Sequence, residues 1–166
     1  MLVTQAIRNC ESEEIEKHID YLYIEWYQVD KRIQRLETAD GVSIAIRFLG
    51  KGQSLKDGDI LYEDQQKVIM VSILPCEAIA FTSSDMITLG LVAYEIGNKH
   101  IPLFAEDNNS LYMPYERSMQ EWFDKNGYTT EVIEKKLRCP LNANVDFEQH
   151  KKFTFTLPKG SLSLKL

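Results

Sequence analysis

The spacing of apolar and polar residues changes once along the chain, near Pro75. Before it, short β-branched and aromatic runs recur: "YLYIEW" (21–26), "RIQRLET" (32–38), "VSIAIRF" (42–48) and "KVIMVSIL" (67–74). Such runs, separated by "TADG" (38–41) and "KDGD" (56–59), predict strands joined by tight turns. They point to a small sheet or a β-sandwich-like unit over residues 1–75. No catalytic grouping falls in this half.

Beyond Pro75 the period lengthens. "EAIAFTS" (77–83) reads as a strand and "SDMITLGLVAYEI" (84–96) as a helix, with Ser83 or Ser84 as N-cap and Asp85 in the first turn. Gly97 is the expected residue just past its end, since glycine takes positive φ freely. "HIPLF" (100–104) and "SLYMP" (110–114) read as strands around the turn-rich "AEDNN". Residues 115–126 have Tyr115, Met119, Trp122 and Phe123 at helical spacing, and Gly127 closes that helix. "YTTEVIEKKL" (128–137) is the last strand. Strand, helix, strand, strand, helix, strand is the split βαβ, or ferredoxin-like, order, predicted over 76–138. Residues 139–166 form an extended C-terminal tail in which Phe153, Phe155 and Leu157, then Leu162, Leu164 and Leu166, alternate with polar partners. The fold class expected is thus α+β.

The helix at 84–96 has more apolar surface than one sheet can cover. Leu89, Val92, Ala93 and Ile96 form one stripe, and Ile87, Leu91 and Tyr94 a second that includes Gly90. A helix apolar nearly all round is buried on more than one side. The second stripe calls for either the N-terminal unit or another chain, and Gly90 allows close approach. A homodimer built on this helix is therefore expected. Near a two-fold axis a residue meets its own copy, so His100, just after the helix, would face the partner's copy of itself. A lone histidine there is either an exposed residue without duty or half of a metal site. Neutral imidazoles suit nickel, copper or zinc, and two of them leave positions open for exchange. The adjacent helix C-terminus favours a cation. His150, in "DFEQHKK", is the second candidate ligand, or else a solvated tail residue. His18 reads as surface structure, and Cys10, Cys76 and Cys139 as small buried or idle thiols.

Composition narrows the function classes. The chain has 166 residues and a net charge of −6. No apolar run approaches the ~18 residues of a membrane span, and the N-terminus has no basic start before an apolar core, so a cytoplasmic protein without membrane association is expected. Three scattered cysteines without a CxxC pair argue against a disulfide framework or a structural zinc site. A basic stripe for nucleic acid is missing. There is no GxSxG, HExxH, P-loop or dinucleotide fingerprint, so the chain is not expected to be an enzyme. RNA recognition would want stacking aromatics on the central strands, and a phosphatase a glycine-rich cradle where "FTSSDM" stands.

Several segments taken together resemble one family. Gly97-Asn98-Lys99-His100 after a helix, "IEW" (24–26), "GVSIAIRF" (41–48), "DGDILYED" (57–64) and "MPYE" (113–116) follow one another as in the UreE family of urease accessory proteins, which are nickel metallochaperones. The resemblance spans roughly the first 140 residues. It implies a peptide-binding-like N-terminal domain that serves protein partners and a ferredoxin-like domain that forms the homodimer, or a higher oligomer. It implies that His100 from two protomers binds Ni2+; because imidazole serves nickel, zinc and copper alike, Zn2+ or Cu2+ would compete. The implied partners are the urease GTPase accessory protein and the urease-bound maturation complex. Many members end in a histidine-rich tail, whereas this chain carries His150 alone, which argues against storage of many ions. The alternative is a protein-binding adaptor for which metal is incidental.

Overall fold

The structure, a computed structural model, describes residues 1–10, 15–50, 53–138 and 140–141. Among these residues ten strands and two α-helices run in the order β1 (Leu2–Val3), β2 (Arg8–Asn9), β3 (His18–Ile24), β4 (Ile33–Glu37), β5 (Ser43–Arg47), β6 (Asp59–Glu63), β7 (Lys67–Ile73), β8 (Cys76–Thr82), α1 (Met86–Asn98), β9 (Ser110–Pro114), α2 (Arg117–Lys125) and β10 (Glu131–Lys135), with a 3-10 turn at Trp26–Gln28 after β3. The architecture is α+β, with strands predominating.

Before Pro75 the strands form two sheets, one ordered β1-β5-β4 and one β2-β6-β7-β3. The predicted turn at 38–41 closes the β4–β5 hairpin: Gly41 takes φ 84° and the buried Thr38 hydroxyl accepts the Val42 amide at 3.0 Å. Alternation along β3 and β7 turns Leu22, Ile24, Ile69, Val71 and Ile73 toward the same core as Ile44 and Ile46 of the other sheet. Strand β6 escapes a pattern reading because a register shift between Ile60 and Tyr62 breaks its alternation and its first three residues are all buried. Strands β1 and β2 have two residues each, too short for any period.

Beyond Pro75 the sheet order is β10-β8-β9, antiparallel throughout. Helices α1 and α2 cover one face, where Val92, Ile96, Met119 and Phe123 pack with Ile79, Phe81 and Met113. The opposite face meets the first core through Ala78, Phe104 and Leu137. Phe104 stands edge-on to Trp26, ring centres 5.7 Å apart. Both sides of Pro75 therefore share buried surface.

Four expectations need correction. "HIPLF" does not form a strand: Phe104 alone makes antiparallel bridges, to Tyr112 and Pro140. Pro102 has no amide to give a ladder, and the chain enters this stretch through a left-handed residue at 100. The N-cap of α1 is Asp85, whose carboxylate accepts the Ile87 and Thr88 amides at 3.3 and 3.0 Å; neither Ser83 nor Ser84 holds that position. Gly97 lies inside α1, which runs on to Asn98. The final strand is shorter than 128–137 as well, since the α2 cap consumes its first residues. The tail from 142 onward, with the alternation expected there, lies outside the described residues.

Candidate metal centre and the open helix face

The end of α1 is set by a pair of crossed backbone bonds. The His100 amide donates to the Gly97 carbonyl at 3.0 Å and the Ile101 amide to the Ile96 carbonyl at 3.2 Å. This is the Schellman arrangement, in which the residue just past the cap takes a left-handed conformation and the next one packs back on the helix. Ile101 and Ile96 are both buried in the same cluster. His100 is the left-handed residue, at φ 55°. Helix α2 ends in the same way: the Gly127 amide donates to Asp124, the Tyr128 amide to Phe123, and Gly127 sits at φ 73°. The chain thus uses glycine at one such position and histidine at the other. Among the described residues with side chains, His100 is the one with positive φ.

The His100 side chain is exposed and makes no hydrogen bond to a described residue. The preceding Lys99 is tied back to Glu95 by an ion pair of 3.3 Å. A left-handed start throws the chain away from the helix axis, leaving the imidazole free at the tip of α1 while Ile101 returns to the core. Neither fold nor packing asks for a histidine at this position.

Along α1, the stripe of Leu89, Val92, Ala93 and Ile96 packs on the sheet as expected. The other stripe is bare: Ile87 is 73 % exposed, Leu91 57 % and Tyr94 70 %, with Met86 beside them at 83 %. Gly90 and Gly97 have nothing within 4 Å of where a side chain would begin. The N-terminal unit therefore does not cover this face. Contiguous apolar surface of this kind, with glycines that permit close approach, marks an interaction surface.

The remaining candidate donors do not gather here. His18 is exposed and pairs with Asp40 at 2.7 Å, in keeping with a surface role. Cys10 is buried. The half-buried Cys76 thiol is pushed up to about 12 by burial and then by Glu25 and Glu134, so it stays protonated and is a poor metal ligand. His150 and Cys139 lie outside the described residues. Among the described residues no three His, Cys, Asp or Glu side chains stand close enough to hold a metal ion. No helix among them is long and apolar enough to cross a membrane.

Similarity to known proteins bears on this geometry. Residues 3–74 match the family model for the UreE urease accessory protein N-terminal domain. The urease accessory protein UreE of Flavobacterium johnsoniae is 42% identical over 132 residues, covering 80% of this chain and 79% of the relative. That of Acetivibrio thermocellus is 34% identical over 151 residues, 90% of this chain and 97% of the relative. That of Lysinibacillus sphaericus is 33% identical over 143 residues, 85% and 95%. With identity at that level over most of the chain, the chain belongs to the UreE family of urease accessory proteins.

Proposed function

We propose that this chain is the nickel metallochaperone of urease maturation, acting as a homodimer in which His100 of each protomer anchors one Ni2+ ion. Family membership carries the broader part: an accessory role in urease maturation, with no catalysis of its own. The finer part is supported by one observation. An exposed histidine occupies a left-handed cap that glycine fills elsewhere in the same chain, at the tip of a helix whose second apolar face is open.

Paired α1 faces would bury Ile87, Leu91 and Tyr94 and bring two copies of the helix tip to the two-fold axis. Each protomer then supplies half a site. Imidazole favours late divalent metals, and the negative end of α1 favours the cation over water. His150, from one or both tails, would complete the coordination and regulate exchange. Zn2+ and Cu2+ compete for the same donors. Release follows docking on the urease GTPase accessory protein and the urease-bound complex, whose ligands replace the imidazoles. In this reading residues 1–75 are a partner-binding β domain, 76–138 a ferredoxin-like dimerisation and metal domain, and 139–166 the tail; the protein works in the cytoplasm.

The test is a nickel titration of the purified protein with mass measured in the same solution. One ion per dimer, abolished in His100→Ala, supports the carrier. Unchanged binding after that substitution leaves the adaptor reading, in which the β domain does the work.

A further inference from the structure

A groove of about 500 Å³ lies across the start of β8 and the neighbouring stretch of β10, beside Glu25 and Leu74. Leu74, Pro75 and the half-exposed Val132 give it apolar walls, and Glu25, Glu77 and Glu134 supply three carboxylates. Glu134 stands directly opposite Glu77 in the strand register. Like charges in that relation destabilise a sheet unless a cation lies between them. The third carboxyl, Glu25, is pushed up by burial. Among the described residues none of the three has an ion-pair partner. β10 is also an edge strand, so its outer backbone groups have no partner strand among the described residues, a condition that invites pairing with another segment.

The chemistry that fits is an apolar, lysine-bearing polypeptide. The same chain contains one. Residues 151–166, "KKFTFTLPKGSLSLKL", carry Lys151, Lys152, Lys159 and Lys165, no acidic side chain, and Phe153, Phe155 and Leu157 at alternate positions. The last described residue, Leu141, is held by its amide to the Leu103 carbonyl at 2.8 Å. From there to Lys151 an extended chain reaches roughly 33 Å, enough to pass from one edge of a small sheet to the other. We infer that residues 151–166 of each chain dock in its own Glu25–Glu77–Glu134 groove, lysines against the carboxylates and alternate apolar side chains on the Leu74–Val132 wall. The docking is read by lysine–carboxylate links in metal-free protein, so its failure is distinguishable from a failure of nickel binding at His100.

Zero-length carbodiimide coupling of the full-length protein tests it, because it joins a lysine to a carboxylate only when they touch. An equal mixture of unlabelled and 15N-labelled chains separates links within a chain from links between chains. The Lys135–Glu106 and Lys17–Glu63 pairs, at 2.8 and 2.9 Å, are built-in positive controls. At low salt the tail lysines should couple to Glu77 or Glu134 within one chain, and this product should fall severalfold at 1 M salt, where the screening length is about 3 Å. Control links without any tail link overturn the inference. So do tail links to other carboxylates, or tail links only between labelled and unlabelled chains, which would place the segment on a second copy.

Discussion

Replacing His100 with glycine should make the protein more stable and strip it of nickel. The left-handed region costs an L-residue roughly 1–2 kcal/mol, with histidine among the types that tolerate it better. Glycine removes that cost at φ 55° but adds unfolded-state freedom worth about 0.4–1 kcal/mol. The exposed imidazole gives up no buried contact, so the two figures decide the sign. The midpoints of the two ranges leave a net gain of about 0.8 kcal/mol. For a chain of this size that is a Tm rise of roughly 1–4 °C. His100→Ala keeps a Cβ in the left-handed region and should gain nothing. Metal-free thermal unfolding of the three proteins should then rank Gly above His, and His level with or above Ala. Nickel titration should rank His far above both. A histidine kept for the fold would give the opposite first ranking, with Gly least stable. That result, or undiminished nickel binding in His100→Gly, refutes the reasoning.

Leu91→Glu and Tyr94→Glu place charge on the open α1 face without disturbing packed side chains, so sedimentation should show a shift toward monomer with unchanged circular dichroism. Phe104→Ala empties a fully buried site between the two cores and should cost about 3–5 kcal/mol in denaturant unfolding, with the tail anchor at Leu103 loosened. The Asp85 carboxyl is held below its ordinary value of 3.8 by the Thr88 hydroxyl and the Thr88 amide. Its capping contribution is therefore complete above pH ~4 and is lost as pH falls through the lower folded value. The Tm gap between wild type and Asp85→Ala should be constant near neutrality and narrow only below that point.

Much of the fold could be read from residue spacing because the deciding forces are local. Period-2 runs found β3, β4, β5, β7 and β8, and the two-stripe pattern of 84–96 gave both the packed and the open face of α1. What escaped depended on distant partners. Strand β6 is buried along its first three residues because it lies between β2 and β7, and no periodicity survives in "DILYE". Pairing of β1 with β5 needs the hairpin to be present first. The end of α1 was misplaced at Gly97 because glycine is the commonest left-handed residue. The signal that would have corrected it is Ile96 and Ile101 flanking the cap, followed at once by Pro102. His100 could be singled out from sequence, but its left-handed backbone could not. His150 lies outside the described residues, and its role rests on the resemblance and the proposal alone.

The helix tip also bears on how a carrier can hold a metal yet surrender it. A site complete within one chain would bind with whatever strength its ligands allow, and release would depend on ligand exchange at that chain alone. A site divided between two chains couples ion affinity to association: if nickel tightens the dimer by some factor, the dimer tightens nickel by the same factor. The open α1 stripe is small, four apolar side chains and two glycines, so a dimer contact formed there would be adjustable rather than fixed by a large core. A left-handed residue at the junction adds to this. It holds the imidazole clear of its own helix, beside a Lys99 that is engaged with Glu95. A partner protein that shifts the two helix tips by a small distance would then separate the imidazoles without breaking any buried contact in either protomer.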